Sequence, residues 1–262
     1  MSSPTQVWRD ELDAWALPAD VIDSAPQSPW IHPPVLFDVP NVIASTPSHE
    51  RARERLPEGG TVLDVGCGGG IAAFAVTPPA TNVIGVDHQP EMLKLFHANA
   101  TARGVSCQTV EGFWPNVAIR GPRADVATAH HVVYNVADIE PFLRALDDHA
   151  KFRVVLEMPD HHPLASMREA WRHFWNLERP LGPTPDVLLA VLADLGFDAH
   201  REQWHAPLRV EQDHNQRAHF MRIRLCLPES REGDVLEFLK SNEPPVTRQL
   251  STLWWDVVSR EE

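Results

Sequence analysis

Glycine is scarce in this chain, and its distribution limits the kinds of protein it can be. The sequence has 262 residues with 13 glycines against 24 prolines, whereas glycine is ordinarily the commoner of the two. No glycine precedes Gly59, and six of the 13 lie within residues 59–70. Because the bias is local and has no period, it excludes a collagen-like or low-complexity chain. It indicates instead one tight backbone feature after a glycine-free segment.

Cysteine and long apolar runs are also lacking. The three cysteines, Cys67, Cys107 and Cys226, are odd in number and far apart, so neither a disulfide framework nor a CxxC metal site is predicted. No run approaches ~18 apolar residues, and the first residues show no basic and apolar leader. We therefore expect a soluble, cytoplasmic protein. The net charge of −13 disfavours a phosphate backbone or an anionic membrane as the main partner, so neither nucleic acid nor membrane is predicted to bind.

The first 58 residues are predicted to form a proline-rich cap. Eight prolines fall in residues 1–47 and prevent long regular elements there. Helices are predicted over Gln6–Ala16, which places Val7, Leu12 and Trp15 for burial, and over Ser48–Leu56. Trp30 and a neighbouring histidine make this cap a candidate lid.

Residues 59–262 are predicted to form one α/β domain. Short apolar runs alternate with helical patterns, which is typical of a doubly wound, mainly parallel sheet. A helical pair is predicted as an insertion at about 209–241, before the last strand. Its Arg217, Arg222 and Arg224 are expected on a solvated face of mixed charge. The seven predicted strands are Thr61–Val65, Asn82–Val86, Val105–Val110, Ala124–Ala129, Phe152–Met158, Phe197–Trp204 and Leu250–Val258.

A glycine cluster follows the first predicted strand. The order Asp64, Val65, Gly66, Cys67, Gly68, Gly69, Gly70 allows backbone to approach a ligand closely at the carboxyl edge of the sheet. A dinucleotide-binding fingerprint that starts at Gly66 requires glycine at position 71, which is isoleucine. In dinucleotide-binding domains an apolar residue usually stands where Asp64 stands. Both details disfavour a nicotinamide enzyme.

This segment resembles motif I of the class I, Rossmann-like, S-adenosylmethionine-dependent methyltransferases, whose D/E-x-G-x-G-x-G pattern is met by Asp64, Gly66, Gly68 and Gly70. The resemblance implies S-adenosylmethionine as cofactor. The loop, with Cys67, would face its methionine part, and Asp64 would help to hold its amino group. Further along the chain it implies that Asp87 accepts both ribose hydroxyls and that the adenine is met by His88, Met92, Glu111, Gly112 and Phe113.

The acceptor residues are predicted at the ends of the fourth and fifth strands. The resemblance places His130 over the cofactor and the following residues towards the acceptor. His131, or else His130, is a candidate general base, since imidazole titrates near pH ~6.5; the alternative is a histidine that only packs against the cofactor edge. No metal site is predicted, because adjacent side chains on a strand point to opposite faces and no carboxylate cluster matches the family's magnesium-dependent branch. The candidate acceptor contacts are Trp30, His32, Tyr134, His161, His162 and Trp175.

The sequence thus predicts methyl transfer from S-adenosylmethionine to oxygen or nitrogen of a small molecule, by in-line displacement with S-adenosylhomocysteine as product. Two alternatives stay open: an NAD(P)-dependent oxidoreductase, and a noncatalytic S-adenosylmethionine-binding protein. The first is disfavoured by position 71 and by the lack of a recognisable hydride-transfer pair.

Overall fold

A computed structural model describes residues 2–30, 37, 39–117, 123–208, 213–243 and 245–258. Within them the chain forms ten α-helices and seven strands. The helices are α1 Pro4–Asp13, α2 Ala19–Asp23, α3 Pro47–Arg53, α4 Ile71–Ala75, α5 Pro90–Arg103, α6 Ile139–His149, α7 Arg168–Trp175, α8 Pro185–Asp194, α9 His214–Arg224 and α10 Glu232–Ser241. The strands are β1 Thr61–Val65, β2 Asn82–Asp87, β3 Ser106–Glu111, β4 Ala124–His130, β5 Ala150–Pro159, β6 His200–Pro207 and β7 Thr247–Asp256.

The strands form one sheet in the order β3-β2-β1-β4-β5-β7-β6. Neighbouring strands from β3 to β5 are parallel, whereas β7 is antiparallel to both β5 and β6. The predicted α/β fold with a mainly parallel seven-stranded sheet is therefore confirmed. The strand order reverses between β1 and β4, and in such sheets ligands bind outside the carboxyl ends of the strands at this point.

Both faces of the sheet are covered. Val62 of β1 packs with Ala52 of α3, whereas its neighbour Leu63 lies in the main core with residues of α6 and α8. This burial on both sides explains why the central strands read as continuous apolar runs rather than as alternating patterns.

The N-terminal helix begins earlier than predicted and buries a different side chain. The Ser3 hydroxyl accepts the Gln6 N–H, so α1 starts at Pro4 and turns Trp8 inwards. Trp8 is fully buried in the main core, and its indole N–H donates to the Val136 carbonyl at 2.8 Å. Val7, predicted as buried, is only half-buried. The first helix therefore packs as part of the main core.

Two predicted boundaries shift at the end of the chain. Phe197, predicted as the start of β6, instead donates its N–H to the Leu192 carbonyl and closes α8 with Gly196 at a φ of +86°. The strand consequently begins at His200. Antiparallel pairing with Pro207 extends β7 back to Thr247.

A second apolar cluster joins α7 to the helical pair α9 and α10, which is the predicted insertion. A 3₁₀ turn over Pro163–Met167 leads directly into α7. The prediction that Arg222 lies on a solvated face was wrong. Arg222 is 2% exposed, pairs with Glu232 at 2.8 Å and donates to the Leu227 carbonyl. Its guanidinium therefore lies inside the second apolar cluster with its hydrogen bonds made. In the described ranges, no helix is both long and apolar enough to cross a bilayer.

Candidate active site

The glycine cluster forms a tight turn between β1 and α4. Gly66, Gly68 and Gly70 have φ values of +69°, +50° and +97°, in the region that favours glycine. A Cβ atom on Gly66 would lie 2.4 Å from a methyl group of Val132, and one on Gly69 would lie 2.3 Å from the Phe37 carbonyl oxygen. The turn thus needs glycine for its conformation and for the close approach of neighbouring chain segments.

Asp64 lies buried beneath this turn. Its carboxylate accepts the Thr128 hydroxyl at 3.2 Å and the Ala73 N–H at 3.3 Å. Burial raises the pKa of Asp64 to about 7. The Cys67 side chain also points inwards, where burial raises the pKa of its thiol. The side chains of Asp64 and Cys67 therefore pack against the buried side of the turn, and the turn's backbone forms its opposite side.

Asp87 ends β2 and is fixed by two backbone donors. One carboxylate oxygen accepts the Gly68 N–H at 3.1 Å, and the other accepts the Gln89 N–H at 2.9 Å. Such charge-assisted bonds hold the carboxylate in one orientation next to the turn. The strand register pairs Asp87 with Glu111 of β3, which is exposed.

A pair of stacked rings lies beside this carboxylate. The rings of His88 and Phe113 are 4.7 Å apart at an interplanar angle of 20°, and Phe113 is 68% exposed. The Gly112 N–H donates to the Asp87 carbonyl at 3.0 Å, which brings the ends of β2 and β3 together, and Met92 lies in the first turn of α5. Exposed flat rings, an oriented carboxylate and a glycine turn are groups that could hold the nucleoside and methionine parts of S-adenosylmethionine.

The ends of β4 and β5 bring two histidines to one carboxylate. His130 and Glu157 are register partners, and the His130 Nδ1 lies 4.0 Å from Glu157 Oε2. His131 has a φ of +60°, and its Nε2 lies 3.0 Å from Glu157 Oε1. The premise that adjacent side chains diverge was therefore wrong here, because His131 leaves the strand in a left-handed conformation. Among the described residues, no group of three or more metal-ligating side chains is arranged to hold a metal ion.

Burial and neighbouring charges change the pKa values of His130 and Glu157. Desolvation lowers the pKa of His130 to about 4, so this imidazole is neutral at pH 7. Burial alone would raise the pKa of Glu157, but the two imidazoles and the Ser48 hydroxyl outweigh it and hold the pKa below its usual range. His130 Nε2, His131 Nδ1 and Glu157 Oε2 are buried without a hydrogen-bond partner in the described part of the chain. Buried polar atoms usually have a hydrogen-bond partner. Three unpartnered atoms close together therefore indicate a site for a polar group of a ligand.

Sequence reasoning missed the residues that support Glu157. Thr252 of β7 is its register partner on the other side, and the Thr252 hydroxyl lies 2.6 Å from that of Ser48 on α3. The Trp204 indole N–H donates to the same Thr252 oxygen at 3.0 Å. The helix pattern of α3 was readable, but nothing local showed that α3 would pack on β5 and β7.

Tyr134 and His162 continue the site away from His131. The Tyr134 ring lies 6.5 Å from that of His131 and 5.6 Å from that of His162. Burial raises the pKa of Tyr134 and lowers that of His162 to about 4. His162 Nδ1 accepts the Leu164 N–H at 3.2 Å, and its ring stacks on Trp15 at 4.3 Å. These predicted acceptor contacts therefore lie together.

The remaining predicted acceptor residues lie elsewhere. His161 is exposed, and Trp175 lies in the second cluster, where its indole N–H donates to the Leu225 carbonyl at 2.7 Å. Trp30 is beside Trp15 at a separate small cavity. His32 lies outside the described residues. Two cap residues do cover the glycine turn: a Cβ on Gly68 would contact the Phe37 ring at 3.3 Å, and one on Gly69 would lie 2.9 Å from a methyl group of Val39.

Comparison with known proteins identifies the family of this chain. A family model of a methyltransferase domain matches residues 42–220. The ubiquinone biosynthesis O-methyltransferase of Azorhizobium caulinodans is 32% identical over 114 residues, which are 44% of this chain and 45% of that protein. The ribosomal protein L11 methyltransferase of Vibrio campbellii is 37% identical over 89 residues, 34% of this chain and 30% of that protein.

The chain thus spans less than half the length of these two curated relatives. The solved structure of the YcgJ protein of Bacillus subtilis shares the fold, with a TM-score of 0.56 and 17% identity over 82% of this chain and 99% of that one. Because the family model covers more than half of the sequence, and the fold and glycine turn agree with it, this chain belongs to the class I S-adenosylmethionine-dependent methyltransferases.

Proposed function

We propose that this protein transfers a methyl group from S-adenosylmethionine to the hydroxyl group of a small molecule, with His131 as general base. The observation that carries the proposal is the 3.0 Å contact between His131 and Glu157, close to the turn at which the sheet order reverses. The similarity to an O-methyltransferase of ubiquinone biosynthesis supports an oxygen acceptor.

In this proposal, the residues around the glycine turn bind and orient S-adenosylmethionine. S-adenosylmethionine supplies a methyl group that is already activated on a sulfonium, so the protein contributes mostly positioning and exclusion of water. Asp87 would accept the ribose hydroxyls, and the ring pair of His88 and Phe113 would contact the adenine. The backbone of the glycine turn would approach the methionine part, with Phe37 of the cap above it.

His131 is better suited than His130 to remove the acceptor proton. The Glu157 Oε1 and the Arg248 guanidinium both face His131 Nε2, at 3.0 and 3.4 Å. A neutral His131 in the tautomer that donates Nε2–H to Glu157 would present Nδ1 as an acceptor, and Nδ1 is buried without a partner in the described residues. The ionised Glu157 then stabilises the positive charge that His131 gains on taking a proton. His130, with a pKa of about 4, is too weak a base to share this role.

Glu157 is itself held in place. Ser48 contacts Thr252, and both side chains are fully buried. The register places Thr252 directly beside Glu157, so this contact joins α3 to the strand residue that orients His131. An element of the cap thereby supports the catalytic pair.

Two measurements test the proposal in sequence. The first is calorimetric titration with S-adenosylmethionine, S-adenosylhomocysteine and NADH; we expect the first two to bind, and binding of NADH alone would favour the oxidoreductase alternative and overturn the proposal. The second is transfer of a labelled methyl group to a metabolite extract freed of protein. Cofactor binding without any labelled small molecule would favour a noncatalytic binding protein, or a protein acceptor as in the L11 relatives.

A further inference from the structure

A small cavity lies between the cap and α7. Three of its lining residues are Trp15, Trp30 and Trp171, two are Arg179 and Arg224, and none of those described is acidic. Its volume is about 10 Å³, which is the room for a single water-sized sphere. None of these residues except Trp30 was singled out as an acceptor contact from the sequence, and the proposed catalytic pair does not use them.

Arg179 is a buried cation that has no anionic partner among the described residues. It is 5% exposed, and its guanidinium donates to the Trp15 and Ala16 carbonyls and lies 5.0 Å over the Trp15 ring and 5.6 Å over the Trp171 ring. Its Nε is buried without a hydrogen-bond partner, and no carboxylate pairs with it in the ranges that the structure describes. Burial lowers the pKa of Arg179. A buried arginine is normally paired, because the desolvation of a lone charge is costly.

Arg224 places a second guanidinium at the same cavity. It is half-buried on α9, and burial lowers its pKa as well. Arg224 thus adds a second basic side chain to the lining, beside the buried Nε of Arg179 that has no partner among the described residues. An anion at the cavity would supply the acceptor that this Nε–H lacks.

We propose that the cavity binds an organic anion, namely a carboxylate carried on a flat apolar body. Guanidinium groups match the two oxygens of a carboxylate, and tryptophan rings provide large flat surfaces for the apolar part. The proposal requires Trp30, which is 61% exposed, to move aside, because such a ligand is larger than the present cavity.

A series of neighbouring rings lies between the cavity and the catalytic pair. Trp15 packs on His162 at 4.3 Å, His162 lies 5.6 Å from Tyr134, and Tyr134 lies 6.5 Å from His131. The carboxylate can therefore belong to the far end of the methyl acceptor or to a separate ligand. The first source rests on the proposed methyl transfer, whereas binding of the anion does not.

The test compares naphthoate with its neutral amide, naphthamide, by calorimetric titration of the full chain. Neither probe has a hydroxyl group, so binding is measured without methyl transfer. We expect naphthoate to bind at least about tenfold more tightly, since a charge-assisted bond is lost in the amide. Equal affinities for the acid and the amide in the folded wild type would overturn the proposal.

Two variants locate the anion. Arg179→Gln and Arg224→Gln should each weaken naphthoate binding by about tenfold and leave naphthamide binding unchanged. The matched control is Arg172→Gln, because Arg172 is exposed and already paired with Glu169 and Glu178. Titration with S-adenosylhomocysteine reports whether each variant is folded. Should Arg179→Gln fail to fold, Arg224→Gln decides alone, and full preference for the acid in every folded variant contradicts the assignment.

A competition experiment separates the two sources. If the carboxylate is part of the acceptor, naphthoate inhibits methyl transfer competitively with the acceptor; if it belongs to a separate ligand, inhibition is noncompetitive or absent. Preference for naphthoate in a protein that transfers no methyl group supports the anion site and contradicts the proposed function. Methyl transfer with no preference between the probes supports the proposed function and contradicts the anion site.

Discussion

His130 and His131 are neighbours in the sequence, yet their surroundings give them different chemistry. The imidazole of His130 is buried at the end of β4 and is neutral, with a pKa of about 4. His131 turns out of the strand and contacts Glu157 through Nε2, while its Nδ1 has no hydrogen-bond partner among the described residues. The sequence left the choice between them open, and burial together with backbone conformation favours His131.

The first prediction concerns this choice. His131→Gln should lower kcat for methyl transfer by about 10²–10⁴-fold, the usual contribution of a general base, and leave the affinity for S-adenosylhomocysteine nearly unchanged. His130→Gln is the matched variant and should lower kcat much less. Steady-state kinetics with the identified acceptor measure both. A larger loss in His130→Gln than in His131→Gln would assign the base to the other histidine.

The second prediction concerns Asp87. Asp87→Ala should weaken cofactor binding by about 1.5–3 kcal/mol, since a ribose diol loses its charged acceptor. Asp125→Ala is the control, because Asp125 has the same 8% exposure and accepts a backbone N–H, that of Thr61, but lies at the start of β4. It should lower stability without changing the dissociation constant. Calorimetry that gives the same constant for Asp87→Ala and wild type would remove Asp87 from the ribose site.

At the scale of elements, the glycine turn and α3 differ in whether local or distant residues decide their position on the sheet. The turn follows β1 directly, so its position is a local consequence of the strand. The helix α3 is capped at its N-terminus by Thr46, whose hydroxyl accepts the His49 N–H, but its place against β5 and β7 depends on residues far along the chain. Ser48 and Thr252, which join them, are 204 residues apart.

The third prediction tests the turn. Gly66→Ala should cost the strain of a left-handed alanine, about 1–2 kcal/mol, plus the overlap with Val132, about 1–3 kcal/mol. Gly104→Ala is the control, since its φ of +66° is almost the same as at Gly66 and a Cβ there has nothing within 4 Å. Urea denaturation measures both variants. We expect Gly66→Ala to be the less stable and to lose cofactor binding, and equal stabilities would show that the turn can relax around a methyl group.

At the scale of the whole molecule, burial of neutral histidines links stability to pH. His130 and His162 both have pKa values lowered from 6.5 to about 4 in the folded state. Between these values the unfolded chain takes up protons that the folded chain does not, so stability falls as pH decreases from 6.5 towards 4. Asp64 acts in the opposite direction, because its pKa is raised from 3.8 to about 7 and its contribution falls as pH rises through this range.

The fourth prediction therefore concerns differences between variants. His130→Gln and His162→Gln should each remove part of the loss of stability between pH 6.5 and 4, at most about 1.4 kcal/mol per pH unit. The exposed His161→Gln should leave the pH dependence unchanged. Urea denaturation at a series of pH values provides the measurement. If all three variants follow the wild-type curve, these histidines are not buried as neutral groups.

The sheet itself was largely predictable. Each of the seven strands was expected within three residues of its observed start. The central strands are buried on both faces and read as apolar runs that end at glycine or a polar residue. The errors arise where distant partners decide: Trp8 was missed because its burial depends on Val136, and Arg222 was placed in solvent because Glu232 lies on another helix.

The sequence by itself grouped the residues that are proposed to bind the cofactor. Asp64 lies in β1, the glycine turn follows β1 directly and Asp87 ends β2, so local spacing was enough to group them. Only the tertiary structure decided the other half: the pairing of His131 with Glu157, the support of Glu157 from α3, and the position of Arg179 beside three tryptophans. These contacts join segments far apart in the chain, and they exist because burial of apolar faces brings the cap and the insertion onto the sheet.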